Sequence, residues 1–146
     1  MDGCFDLMHY GHANALRQAK ALGDELVVGL VPDAEIRRCK GPPLMDEGER
    51  LKMVEAVKWV DEVITGVPYD LTPAFLDELV RRHRVDVVIH GDDPCTLPDG
   101  TDAYAAAKRA GRFRMVGGRG RALDGFSVRF VDFAARAFAI RFHALT

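Results

Sequence analysis

Short apolar runs alternate with amphipathic stretches along the 146 residues of the chain. Glu25 to Val31 (ELVVGLV) and Val85 to His90 (VDVVIH) are nearly unbroken and rich in β-branched residues, the pattern of parallel strands covered on both faces. Glu62 to Val67 (EVITGV) reads as a weaker third strand and Phe113 to Val116 (FRMV) as a fourth. Between them, Ala15, Leu16, Ala19 and Leu22 recur at helical spacing from His12 to Leu22, with Gly23 where a left-handed residue would close the helix. Asp46 and Glu49 form a capping-box pattern ahead of Leu51, Val54, Val57 and Val60, which predicts a helix from Glu47 to about Lys58. Thr72 as N-cap and Pro73 at the first helical position predict a third helix turning Phe75, Leu76, Leu79 and Val80 inward. Asp102 to Ala110, closed by Gly111, is a short fourth. This alternation predicts an α/β fold, a doubly wound parallel sheet with right-handed crossovers. Only Met1 precedes Asp2-Gly3-Cys4-Phe5, so the first strand of such a sheet is expected to be truncated.

Charge and composition narrow the classes. With 20 Lys+Arg against 22 Asp+Glu the net charge is -2, so no global basic field points to nucleic acid or an anionic membrane, and an anionic ligand must be held by local chemistry. The three cysteines, Cys4, Cys39 and Cys95, are odd in number and form no C-x-x-C pair, which suits a reducing, cytoplasmic setting better than a disulfide framework. No apolar run approaches the roughly 20 residues of an integral membrane segment. The length is that of one domain.

Ligands of an open parallel sheet lie beyond the carboxyl ends of its strands, which makes the residues there the candidates for chemistry. Gly3 to His12 leads into the first helix, Lys40-Gly41-Pro42-Pro43 follows the first strong strand, Tyr69 and Asp70 follow the weaker one, and His90-Gly91-Asp92-Asp93 ends the last strong strand. His9 and His12 flank Gly11 at a helix N-terminus, where backbone N–H groups and the dipole favour phosphate and Gly11 permits close approach. Two imidazoles there can donate to phosphate oxygens, which marks His9-Tyr10-Gly11-His12 as a phosphate-handling centre; ligation of a metal by His9, His12 and Cys4 is the weaker alternative, since no further Cys/His cluster has zinc spacing. Lys40 and Arg50 either meet a polyphosphate or are ordinary solvated cations. Tyr69 and Asp70 either hold a small cation by ring face and carboxylate or simply end a strand. Asp92 and Asp93 either contact a ligand amine or Mg²⁺, or form a turn before Pro94.

The stretches DGCFDLMHYGH, KGPP, Glu49-Arg50, KWVDEV, Pro68-Tyr69 and HGDDPCTLPDGTDAY together resemble the N-terminal catalytic domain of the ethanolamine-phosphate cytidylyltransferase family, over about Asp2 to Arg114, and the last of them is similar to the plant and algal form. The resemblance implies a Rossmann-like nucleotidyltransferase fold and transfer of CMP from CTP to phosphoethanolamine, with Mg²⁺, giving CDP-ethanolamine and pyrophosphate for phosphatidylethanolamine synthesis. It implies that Gly3, Cys4 and Phe5 line the CTP site by backbone, that His9 and His12 hold its phosphates, and that Lys40 bridges the reacting phosphates. Arg50 matches the family's arginine after the glutamate, and His90, Gly91, Asp92 and Asp93 match its nucleotide- and amine-binding turn. Tyr69 falls where related enzymes place an aromatic against the substrate amine. Family members are homodimers, and peripheral membrane attachment in some comes from regions other than these.

After Arg114 the likeness ends. The family's Arg-Thr-x-Gly segment is replaced by MVGGRGRALDG, so residues 1–116 read as the cytidylyltransferase-like unit and 117–146 as a divergent tail foreign to the fold. A transferase acting on another phospho-acceptor, such as phosphocholine or glycerol 3-phosphate, and a nucleotide-binding fragment without turnover are the alternative readings.

Overall fold

The computed structural model describes residues 2–91, 94–116 and 138–141. At its centre lies β2 (Glu25–Leu30), five of whose six residues are buried, as its unbroken apolar run requires of a strand covered on both faces. It is flanked in chain order by β1 (Asp2–Gly3) and α1 (Tyr10–Lys20) before it, and by α2 (Asp33–Cys39), α3 (Glu47–Glu55), β3 (Glu62–Ile64), α4 (Pro73–Arg82), β4 (Val87–His90), α5 (Ala105–Arg109), β5 (Phe113–Met115) and β6 (Phe138–Arg141) after it.

The register fixes how the strands share β2. Val27 pairs with Glu62 of β3 and with Ala139 of β6, and Gly29 pairs with Ile64 of β3 and with Asp2 of β1. A strand residue has one neighbour per edge, so β1 and β6 lie end to end along the edge of β2 opposite β3. The far edge of β6 pairs antiparallel with β4, which pairs in parallel with β5. Across the sheet the order is therefore β3, β2, the shared slot of β1 and β6, β4 and β5. The expected doubly wound α/β layout holds, and β1 is indeed short, two residues long. Two expectations are corrected: the sheet is mixed rather than wholly parallel, and part of the tail, Phe138–Arg141, is a strand of the fold. The remainder of 117–146 lies outside the described residues.

The helices form where their local signals put them. Asp46 accepts from the Glu49 amide at 2.8 Å while the Glu49 side chain accepts from the Asp46 amide at 3.1 Å, the reciprocal cap that starts α3. Thr72 accepts from the Phe75 amide at 3.2 Å with Pro73 behind it, which starts α4. Gly111, at φ +67, closes α5 in the left-handed region. Gly23 does not do this for α1, which ends at a right-handed Ala21 two residues earlier and leaves Leu22 46% exposed rather than inward. α2 has no counterpart among the predicted elements: its seven residues bury one side chain, Ile36, too few to print a period. Leu16, Leu26, Val27, Val28, Leu30, Val54 and Ile89 are fully enclosed in the core that all these elements share.

Ala139 faces a paired strand on both edges, so its N–H meets an acceptor whichever way it points. Ala139→Pro removes that bond inside the sheet and is expected to lower unfolding stability by about 2 kcal/mol. An unchanged melting temperature would mean that 138–141 does not sit between β2 and β4.

Candidate active site

α1 opens on two histidines. His9 is its N-cap, in extended backbone, and its Nδ1 accepts from the Gly11 amide at 3.0 Å. The His9 amide in turn donates to Nδ1 of His12 at 3.2 Å. The two imidazoles thus form a capping box in which each ring stands where a carboxylate or hydroxyl ordinarily would. A backbone N–H can only donate, so both Nδ1 atoms must be lone-pair acceptors and each neutral ring carries its proton on Nε2. The rings lie 4.1 Å apart between centroids, and His12 is 4% exposed. Two Nε2–H donors on rings tilted 42° to one another at a helix N-terminus are suited to an anion's oxygens. Gly11's amide is spent inside this cap.

The loop that leads to the cap, Cys4 to Met8, bends through two non-glycine left-handed residues, Phe5 at φ 52 and Leu7 at φ 48. Such strain persists only where surroundings enforce it. Phe5 is 2% exposed with its ring 5.8 Å from that of His12, so burying an aromatic side chain supports the turn. From below, the guanidinium of Arg50 donates through Nη1 to the carbonyls of Cys4 at 2.7 Å and Val31 at 3.0 Å, and through Nη2 to Asp33 at 2.6 Å. Arg50 is 0% exposed. Expected at the nucleotide, it fastens the ends of β1 and β2 to the start of α2 through its two Nη groups, and so positions the loop that leads to the histidines. From above, Asp6 accepts from the amides of Leu44 at 2.8 Å and Met45 at 2.9 Å, which ties the Lys40–Leu44 loop down over the histidine loop. Sequence reasoning missed Asp6, because its partners stand 38 and 39 residues away and nothing local marks them.

Between these two loops lies a pocket of about 160 Å³, lined by Cys4, Phe5, Asp6, His12, Lys40 and the loop that follows it. Pockets that enclose a whole small ligand measure roughly 300–1,000 Å³. This one suits part of a nucleotide, and its lining of a buried imidazole, a lysine and turn backbone suits phosphate. Lys40 reaches across to the ring of Tyr69, its Nζ 5.6 Å from the centroid. Tyr69 is 6% exposed, its amide donating to Glu35 Oε2 at 3.2 Å. The Glu35 carboxyl is held below its ordinary value first by the hydrogen bond from Arg38, with the Tyr69 amide adding to this and burial opposing it.

Of the predicted site residues, Cys4, Phe5, His12 and Lys40 meet in the pocket, His9 stands against His12, and Tyr69 joins through Lys40. Gly3 is drawn into the sheet, its carbonyl accepting from the Val31 amide at 3.1 Å. His90 is 2% exposed and stacks 4.7 Å from Tyr104 instead of lining the pocket. Its Nδ1 lies 2.8 Å from the carbonyl of Gly91, which can only accept, so this ring is protonated on Nδ1, the reverse of His9 and His12. Asp92 and Asp93 lie outside the described residues, as does any contact they make.

Comparison with known proteins places this geometry. Residues 1–132 match the family described as cytidylyltransferase-like, and the chain belongs to that family. Over 116 residues, 80% of the chain, it is 63% identical to the ethanolamine-phosphate cytidylyltransferase of Arabidopsis thaliana, of which it spans 28%. It is 50% identical over 113 residues to the protein of that name in Mus musculus, spanning 27% of it, and 44% identical over 114 residues to human choline-phosphate cytidylyltransferase A, spanning 30%. Among solved structures, the lipopolysaccharide core biosynthesis protein of Thermoplasma volcanium matches with a TM-score of 0.59 at 28% identity, covering 80% of this chain and 90% of that one. Among the described residues no helix is long and apolar enough to cross a membrane.

Arg50→Ala leaves the Asp33 carboxylate and two carbonyls without their donor. It is expected to cost about 3–5 kcal/mol of stability, measured by urea unfolding. A variant that folds as stably as the parent would show that the guanidinium is there for a ligand.

Proposed function

We propose that this chain carries the CTP-binding and transfer centre of a cytidylyltransferase that moves CMP from CTP to phosphoethanolamine, releasing pyrophosphate and forming CDP-ethanolamine on the route to phosphatidylethanolamine. The observation that carries the reading is the crossed cap of His9 and His12, which sets both rings as Nε2–H tautomers at the start of α1, with His12 in the lining of the pocket. The choice of acceptor rests on the names of the relatives, ethanolamine-phosphate enzymes at 63%, 54% and 50% identity against 44% for the human choline-phosphate enzyme.

The chemistry asks little of the protein beyond placement. The phosphate of phosphoethanolamine is already an anionic nucleophile, so no base has to remove a proton before its oxygen attacks the α-phosphorus of CTP. What is needed is to bring two polyanions into line and to meet the charge that grows on the bridging oxygen as pyrophosphate departs. In this reading the Nε2–H groups of His9 and His12 donate to the triphosphate, the N-terminal end of α1 lies beneath them, and Lys40 adds a mobile positive charge from the opposite wall. Tyr69 receives the acceptor's ammonium on its ring. Gly91, Asp92 and Asp93 complete the nucleotide and amine contacts in the family pattern.

Mg²⁺ fits this site as a companion of the triphosphate. Among the described residues no group of three or more His, Cys, Asp and Glu is gathered for an ion, and Asp6, the pocket's carboxylate, is engaged by two amides. A small hard cation is commonly bound mainly through substrate phosphates, where it supplies charge neutralisation. A cytoplasmic, homodimeric protein, attached to membranes at most peripherally, is the assembly that goes with this reading.

The 146-residue chain is to be assayed for CDP-ethanolamine from CTP and phosphoethanolamine, with phosphocholine and glycerol 3-phosphate as competing acceptors. Product from phosphoethanolamine in clear excess over the others is expected; preference for another acceptor, or CTP binding without product, contradicts the proposal. His12→Ala is expected to reduce kcat about 100-fold or more with the fold intact by circular dichroism, and near-normal turnover would remove the histidine from its role.

A further inference from the structure

Lys40 belongs to two environments at once. It lines the pocket together with His12, Phe5 and Asp6, and its ammonium sits over the ring of Tyr69, 5.6 Å from the centroid and within the roughly 6 Å reach of a cation–π contact. The backbone on both sides of the contact is fixed by other bonds. The Lys40 amide donates to Ile36 at 2.8 Å as the cap of α2, and the loop beyond is tied to Asp6 through Leu44 and Met45. The ring of Tyr69 is set against the same short helix, because its amide is anchored on Glu35 of α2, and its hydroxyl accepts from Cys95 Sγ at 3.9 Å.

Under the cytidylyltransferase reading, on which this inference rests, the ring face of Tyr69 is also the seat of the acceptor's ammonium. One ring face has one favourable place for a cation, and two ammonium groups at that spacing repel. We propose that Lys40 occupies the acceptor's cation seat until the acceptor arrives, and that the incoming ammonium displaces it from Tyr69 into the pocket, onto the phosphates of CTP. No bond is made or broken; one cation replaces another on the ring, and the displaced charge moves to the place where the transfer needs it. The amine of the acceptor and the affinity for CTP are then coupled through a single side chain, and an acceptor of the same phosphate but without an amine leaves Lys40 on the ring.

The test is calorimetric titration of an α,β-methylene analogue of CTP, which binds but cannot transfer, into the chain with Mg²⁺ and either phosphoethanolamine or ethyl phosphate. The parent is expected to bind the analogue about three- to tenfold more tightly with phosphoethanolamine than with ethyl phosphate. Lys40→Met is expected to show no difference between the two acceptors. Tyr69→Leu is expected to bind the analogue without any acceptor as tightly as the parent does with phosphoethanolamine, because its lysine is released from the start, while Tyr69→Phe keeps the parent's response. Equal affinity of the parent with both acceptors overturns the exchange whether or not Tyr69→Leu folds, and so does a difference that survives in Lys40→Met. If the parent does not bind the analogue under any condition, the cytidylyltransferase reading fails and the exchange falls with it; binding without the amine effect defeats the exchange alone.

Discussion

The loop from Cys4 to His9 has two residues of strand behind it and turns through two left-handed side chains, yet it must hold a pair of histidines within about an ångström of where they are useful. What makes that possible is the guanidinium of Arg50. From α3 it reaches under the loop and binds, with one planar group, the carbonyl that follows β1, the carbonyl that follows β2 and the carboxylate that opens α2. The ends of the paired strands β1 and β2 and the start of α2 are thereby given one reference point. Full burial makes the arrangement depend on its acceptors, because a buried charge that loses one of them has no water to replace it.

Above that fixed base the site is assembled from constraints that each leave one freedom. The capping box uses the Nδ1 atoms and so puts each ring's proton on Nε2. Asp6 draws down the far loop by two amides, which settles where Lys40 begins without settling where its ammonium ends. The same economy appears in the sheet. β1 supplies the carboxyl-end half of the central slot, where the ligand loop starts, and β6 fills the other half from the opposite direction, so that β2 and β4 keep neighbours along their length.

Local signals carried most of the fold into the sequence. The Asp46/Glu49 box, the Thr72-Pro73 start and the β-branched runs of β2 and β4 act over a few residues, and each is found within a residue or two of where the pattern puts it. What the pattern hid depends on distance. β6 is short and its partners, Val27 and Val88, lie far back in the chain, so its pairing is not written in its own periodicity. The buried role of Arg50 does not show in its neighbours because burial of a helical arginine is a property of its acceptors, and the partners of Asp6 are as distant. The histidine pair was legible because the cap that joins its members is written in four consecutive residues.

The central claim is that the helix cap dictates the chemistry of these histidines, and the most direct measurement is ¹⁵N NMR of the imidazole nitrogens of the labelled chain, with and without CTP. His9 and His12 are both expected as Nε2–H tautomers, with His90 the Nδ1–H form, and CTP is expected to shift the Nε2 resonances of the first two while leaving their Nδ1 resonances in place. Nδ1–H tautomers at His9 or His12, or a CTP response confined to Nδ1, would contradict it.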